Sequence, residues 1–273
     1  MLGQFGSLPP QFMRPRDIEL QQRIEAPLEQ IWNACASAKG IANWQADEAR
    51  GEARRGGKLT LHWAAFDATV ELDILDFIPY QRMLVSSGGT STVEFRFEDN
   101  LVTLTHRGLG EDDDAEGLSS SWRIALAQLA HSLERHAGRR RRVHWLVRPV
   151  SFSPESLYLC FTDPNLLELW LTQDSAIPAE GMPYALKLKN GLHLSGQVLT
   201  NVEGRDLALS CESRGDAVLT LRSMPSPIAS ASRLLALVWS EWGPRTDATD
   251  ELLEEFDAAL DRLVGVLGRG GAS

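Results

Sequence analysis

The chain is short of cysteine: Cys35, Cys160 and Cys211 are the only three in 273 residues. Thiols so few and so scattered build no disulfide framework, and the plain reading is a reduced, cytoplasmic protein. Basic charge is also in deficit. Lys and Arg number 27 against 37 Asp and Glu, a formal net charge of −10, which argues against a general nucleic-acid binder. No apolar run reaches the roughly 18 residues of a membrane-spanning helix. Residues 1–16 carry no apolar core behind positive charge, so they do not read as a signal peptide. With Pro9, Pro10 and Pro15 they read as a flexible lead. A glycine-rich phosphate loop and a dinucleotide fingerprint are both missing, as is any Ser-His-acid or Cys-His arrangement. His131, His136, His144 and His193 fall into no metal-ligand spacing. Neither a metal nor a cofactor is therefore expected.

What is present is periodicity. Trp122, Leu126, Leu129 and Leu133 recur at intervals of four, three and four, one apolar stripe on a helix. Phe256, Leu260, Leu263 and Leu267 repeat that spacing near the end of the chain. Before each stripe lie segments with strand composition. Those at 58–63, 65–75, 82–86, 91–98 and 101–107 precede the first. Those at 143–150, 185–188, 192–199, 207–212, 217–222 and 234–242 precede the second. Val93, Phe95 and Phe97 alternate on one face. The turn residues Arg54-Arg55-Gly56-Gly57, Glu98-Asp99-Asn100, Asn190-Gly191, Glu203-Gly204 and Arg214-Gly215 separate many of these segments. Ser223-Met224-Pro225-Ser226-Pro227 reads as an interruption, and Lys39-Gly40 as a break after a helix at 28–36. Short turns between successive strands predict curved antiparallel sheets, each covered by a long helix: an α+β fold.

The two halves also echo each other. Ile31-Trp32 is followed by Trp44, and Leu157-Tyr158 by Trp170 at the same distance, with Cys35 aligned on Phe161. Self-similarity of this kind points to repeated local structure. The expected organisation is a lead at 1–16, a first domain at 17–138, a hydrated basic linker at 139–142, a diverged second domain at 143–268 and a flexible tail at 269–273. Gly268 and Gly270 are expected to end the last helix.

Ile24-Glu25-Ala26-Pro27, Ile31-Trp32, Trp44, His62-Trp63, Val93-Glu94-Phe95, Leu104-Thr105-His106-Arg107-Gly108 and the helix entry at 117–129 together resemble the START-like, helix-grip (SRPBCC) superfamily. Within it, they resemble most the C-terminal-domain family of activators of the heat-shock-protein-90 ATPase. The resemblance covers 17–137, with the second half similar to a diverged tandem copy. It implies a curved sheet gripping a C-terminal helix, often with a cavity between. The superfamily includes lipid carriers, hormone binders, polyketide cyclases and chaperone activators, so the fold does not choose among them.

Burying apolar surface in such a hollow, with a few polar groups for orientation, favours an apolar or amphipathic small molecule. The candidate lining is Trp63, Phe66, Phe95 and Trp122 with His62 and His106 in the first half, and Leu194, Trp239 and Phe256 in the second. Core packing is the rival reading for all of them. An aromatase or cyclase would recruit His62, Asp67 and His106 to handle protons. A chaperone-associated protein, or a homo-oligomer, would expose a seam such as Leu235, Val238 and Trp242. Glu94 is expected to face outward.

Overall fold

The computed structural model describes residues 17–173, 175–226, 232–244 and 247–270. The expected lead, residues 271–273 of the expected tail, and Pro227 lie outside them. In the first half the chain runs through β1 (Ile18–Arg23), α1 (Leu28–Cys35), α2 (Ala38–Ile41) and β2 (Glu48–Gly51). It continues through β3 (Lys58–Trp63), β4 (Ala68–Ile78), β5 (Arg82–Ser86), β6 (Thr92–Glu98), β7 (Leu101–Arg107) and the long α3 (Ala115–His136). The strands form one antiparallel sheet in the order β1-β7-β6-β5-β4-β3-β2. Period-two alternation puts Leu59, Leu61, Met83, Val85, Phe95 and Leu104 on its inner face, where they share a core with Leu126 and Leu129 of α3.

The second half follows the same plan with one strand fewer. It comprises β8 (Arg141–Val150), α4 (Pro154–Thr162), α5 (Pro164–Trp170), β9 (Pro183–Lys187) and β10 (His193–Val202). After these come β11 (Asp206–Cys211), β12 (Ala217–Pro225), β13 (Arg233–Trp242) and α6 (Asp247–Gly270). Its order, β8-β13-β12-β11-β10-β9, again sets the first strand beside the last. Each half is a helix-grip domain. The echo read in the sequence has a structural counterpart. Trp44 Nε1 donates to the Ala34 carbonyl at 2.9 Å, and Trp170 Nε1 to the Cys160 carbonyl at 2.8 Å, both ten residues back.

Several expectations are corrected. Lys39-Gly40 does not break the chain: both residues lie in α2, which Ser37 caps by accepting from Gly40 N at 3.0 Å. β2 carries no alternation because it is a short, mostly exposed edge strand. β4 starts three residues later than read, because Ala64–Phe66 forms a 3-10 turn closed by Asp67 at φ 46°. Most of the expected interruption at 223–227 belongs to β12, and α6 passes through Gly268 to Gly270. Arg141 and Arg142 are not a hydrated linker. They are the first residues of β8, paired with Trp242 and Glu241 of β13, and Arg141 is 9% exposed.

The largest departure concerns α3. Its apolar stripe meets its own sheet as read, yet every residue from Ile124 to Ser132 is buried. The second half covers the opposite side. There Ser120 Oγ donates to Asp206, Ser121 Oγ accepts from Arg222 Nη2 at 2.6 Å, and Gln128 bonds Ser240 Oγ at 3.1 Å. Arg205 bridges Asp114 and Glu116 at the helix start, where the positive end of the dipole favours acids. Near the other end, His131 and His136 both reach the Asp216 carbonyl, at 2.6 and 2.8 Å. A carbonyl only accepts, so each Nε2 carries its proton. The His136 ring stacks on Trp242, centroids 4.4 Å apart.

Two predictions follow from this interface. Asp206 is 3% exposed and also accepts from Ser223 N at 3.0 Å. Asp206→Ala strands these donors and the nearby Arg222, and should cost roughly 3 kcal/mol in chemical denaturation; a loss within error of zero would discount the contact. Burial lowers the pKa of His131 and His136 below 6.5, partly opposed by the bond to Asp216. The folded state therefore binds fewer protons than the unfolded chain, and their contribution to stability is lost as the pH falls below 6.5. The denaturation midpoint should drop between about pH 7 and about pH 5. A His131→Gln, His136→Gln double variant, whose amides can still donate to Asp216, should show a shallower drop.

Candidate functional site

A hollow of about 270 Å³ opens between the first sheet and α3. Trp122, near the start of α3, is one of its walls. Leu59, Leu61, Val85, Phe95 and Trp122 supply apolar lining, and Ser87, Ser91 and His106 supply polar atoms. Trp122 meets Phe95 edge-on at 6.1 Å and His106 at 6.2 Å.

The polar end of the hollow is held in one arrangement. His106 lies on β7 opposite Val93 of β6. Gly108, two residues on, sits at φ 76°, and a Cβ there would come within 2.2 Å of the Thr90 carbonyl. Glycine thus allows the close backbone passage that brings His106 onto Ser91. Trp122 Nε1 donates to His106 Nδ1 at 3.1 Å, and His106 Nε2 lies 2.8 Å from Ser91 Oγ. An indole N–H can only donate, so Nδ1 accepts and Nε2 carries the hydrogen that faces Ser91. In this tautomer His106 does not take a proton from the Ser91 hydroxyl, and the pair lacks the geometry of an activated nucleophile. Burial lowers the His106 pKa, against the opposing pull of Asp113 and Asp17, which keeps the ring neutral. Cys35 also lines the hollow, and burial pushes its thiol far up, away from the reactive thiolate.

The candidate residues separate into three groups. Trp63, Phe95, His106 and Trp122 line this hollow. Phe66 does not; with the other edge of Trp63 it lines a different cavity, between the two halves. His62 points to the outer face, among Glu48, Arg50, Thr60 and Thr69, with Nδ1 3.2 Å from Thr69 Oγ1. Asp67 is exposed in its left-handed turn. Of the three residues named for proton handling, only His106 lines the hollow. Glu94 does lie on the outer face, as alternation requires. It is nonetheless 5% exposed, covered by ion pairs with Arg82 and Arg96.

Leu194, Trp239 and Phe256 lie in the second half. Each is at most 1% exposed, and all three share the second core. Trp239 and Phe256 touch ring to ring at 5.8 Å. All three pack between α6 and its sheet, and none of them lines the grip hollow or the cavity between the halves. The proposed seam fails for a related reason: Leu235, Val238 and Trp242 are 0%, 3% and 4% exposed. Leu235 packs in the second core, Val238 faces the interdomain cavity, and Trp242 stacks on His136. Among the described residues no cluster of three metal-ligating side chains occurs, and no helix is long and apolar enough to cross a membrane. As a packing residue, Phe256→Ala should cost roughly 3–5 kcal/mol of stability, read from the denaturation midpoint.

Residues 25–134 match the family model of the Activator of Hsp90 ATPase homolog 1-like proteins. No curated protein matches the chain. Among solved structures, the Aha1 dimer from Colwellia psychrerythraea is 19% identical over 45% of this chain and 98% of its own, with a TM-score of 0.41. CalU16 from Micromonospora echinospora is 28% identical over 41% of this chain and 73% of its own, with a TM-score of 0.35. DynU16, from the dynemicin biosynthetic locus, is 16% identical over 93% of this chain and 98% of its own, with a TM-score of 0.41. Over residues 25–134 the chain is thus similar to the Activator of Hsp90 ATPase homolog 1-like family, and each half has the helix-grip architecture.

Proposed function

We propose that the first half binds a small, mostly apolar molecule in the hollow between its sheet and α3, as a carrier or sensor rather than as a catalyst. The observation that carries this reading is the hollow itself. Tight packing would have closed it, yet apolar side chains surround unfilled space with polar groups at one end. An apolar body gains by leaving water for this lining. A hydroxyl or carbonyl on the ligand would meet Ser87 or Ser91. The tautomer enforced by Trp122 directs the Nε2–H of His106 onto Ser91 Oγ, which leaves the Ser91 O–H to donate and favours an oxygen acceptor on the ligand. The same tautomer weighs against a serine nucleophile, and the placement of His62 and Asp67 outside the hollow weighs against a proton-relay cyclase. The second domain, whose core is filled, serves in this reading to brace α3. A domain boundary between His136 and Arg141, and an origin of the two halves by tandem duplication, are part of the same proposal.

Native mass spectrometry of gently purified protein, with denaturing identification of what is released, tests it. The expected result is one small apolar molecule per chain. Trp122→Ala and Trp63→Ala should each weaken that molecule by roughly tenfold, about 1.4 kcal/mol, with the fold retained by circular dichroism. Wild-type affinity in both variants would remove these residues from the site.

A further inference from the structure

The second cavity, of about 450 Å³, lies between the domains and belongs to neither grip. Trp63 and Phe66 of the first domain and Trp145 of β8 form aromatic walls, with Met224 and Leu234 of the second sheet. Phe66 and Trp145 meet edge-on at 5.1 Å. Two arginines, Arg141 and Arg222, line this space with the neutral polar residues Gln45, Ser121, Gln128 and Thr220, and no Asp or Glu is among the lining residues.

Arg141 is an unusual occupant for such a wall. It is 91% buried by its 9% exposure, and its partners are neutral. Its Nε and Nη2 donate to Ser240 Oγ at 3.1 and 3.0 Å. With the amide oxygen turned toward it, Gln128 also accepts from these atoms, at 2.7 and 2.8 Å. Nη1 is buried with no hydrogen-bond partner. The nearby acid, Asp47, has both oxygens engaged elsewhere, one by Trp145 Nε1 at 3.0 Å and one by Ala64 N at 2.9 Å. Arg222 spends Nη2 on Ser121, while its Nε, 4.0 Å from Asp206, is likewise buried without a hydrogen bond. A buried guanidinium without a bonded carboxylate is costly, and an incoming anion offsets that cost. Guanidinium geometry matches a carboxylate in particular, through paired N–H donors.

We propose that the interdomain cavity is a second ligand site, selective for an organic acid whose carboxylate meets Arg141 and whose apolar, ring-bearing body lies against Trp63, Phe66 and Trp145. The site is independent of the neutral ligand assigned to the grip hollow, although Trp63 is a wall common to both. It also gives the buried first residue of β8 a role that a structural cation alone does not need. Ser240 and Gln128 anchor the Nε and Nη2 side of the guanidinium, and Nη1 is left without a partner.

Isothermal titration calorimetry on the full chain, with 1-naphthoate against the uncharged 1-naphthamide, tests the charge requirement. The acid should bind tighter by roughly tenfold to hundredfold, the range of a hydrogen bond to a charged group in a buried site. Arg141→Met keeps the stem and removes the charge. It should bind acid and amide alike while keeping its melting temperature, since an apolar replacement of a buried charge is often neutral. Equal affinity for the two compounds in the unaltered protein would overturn the proposal, as would an Arg141→Met variant that keeps the preference. If that variant fails to fold, Met224→Trp narrows the cavity from the opposite wall and should abolish naphthoate binding; retained binding would overturn the proposal equally. Binding lost in Trp122→Ala but kept in Arg141→Met would place the acid in the grip hollow, removing this inference and sparing the other.

Discussion

One helix satisfies two sheets. α3 is the grip helix of the first domain, and it is also the surface on which the second domain's sheet rests. A helix enclosed on both sides is commonly apolar all round. This one is not: its stripe toward its own sheet is leucine and tryptophan, and the side toward β11, β12 and β13 carries Ser120, Ser121, Gln128 and His131. Buried polar groups demand partners, and the second domain supplies them from β11, β12, β13 and the Asp216 turn. Hydrogen bonds are directional where apolar packing is not, so this interface specifies register and orientation between the domains as well as contact.

The consequence reaches the second domain. Its central strands are covered on both faces, by α6 on one side and α3 on the other. Leu235, Leu237 and Trp239 point to the inner core, while the residues between them meet the first domain. A sheet held from both sides can be filled solidly within, and this one is. The first domain's sheet turns its outer face to solvent, with Lys58, Glu71, Asp73 and Arg96 on it, and its inner side keeps a hollow. The two halves share one chain path and differ in what fills it: one is packed, the other lined. The space between them is a third environment, whose surfaces come from both domains and whose charge comes from Arg141 of β8 and Arg222 of β12.

Much of the architecture was legible in residues alone. Both helix stripes, most strands, and the Trp44–Trp170 correspondence follow from local periodicity, because burying one face of a helix or strand writes its period into the chain. Alternation nominates Trp63 and Phe95 for the hollow and the helical stripe nominates Trp122, while which of His106 and Arg107 faces inward is settled only by the folded strand. Leu194, Trp239 and Phe256, nominated for a second hollow, lie in the second core. Inner-face position is readable; whether the space beside it is empty depends on how far a sheet curves from its helix. One signal of the interface did lie in the sequence. The unbroken run Leu234-Leu235-Ala236-Leu237-Val238-Trp239 lacks alternation, as a strand buried on both faces does, and it was the helix facing it that looked solvated.

Local pattern, then, determined the elements, their order and the faces they turn inward, since those depend on neighbours a few residues apart. Tertiary structure alone decided that Ser120, Gln128 and His131 are buried, that Arg141 enters a strand and not a hydrated linker, and that one grip is hollow while the other is full. Each of these is a matter of distance between groups roughly a hundred residues apart in the chain. A polar side chain looks the same in sequence whether its partner is water or a serine on another sheet, and only the folded arrangement tells them apart.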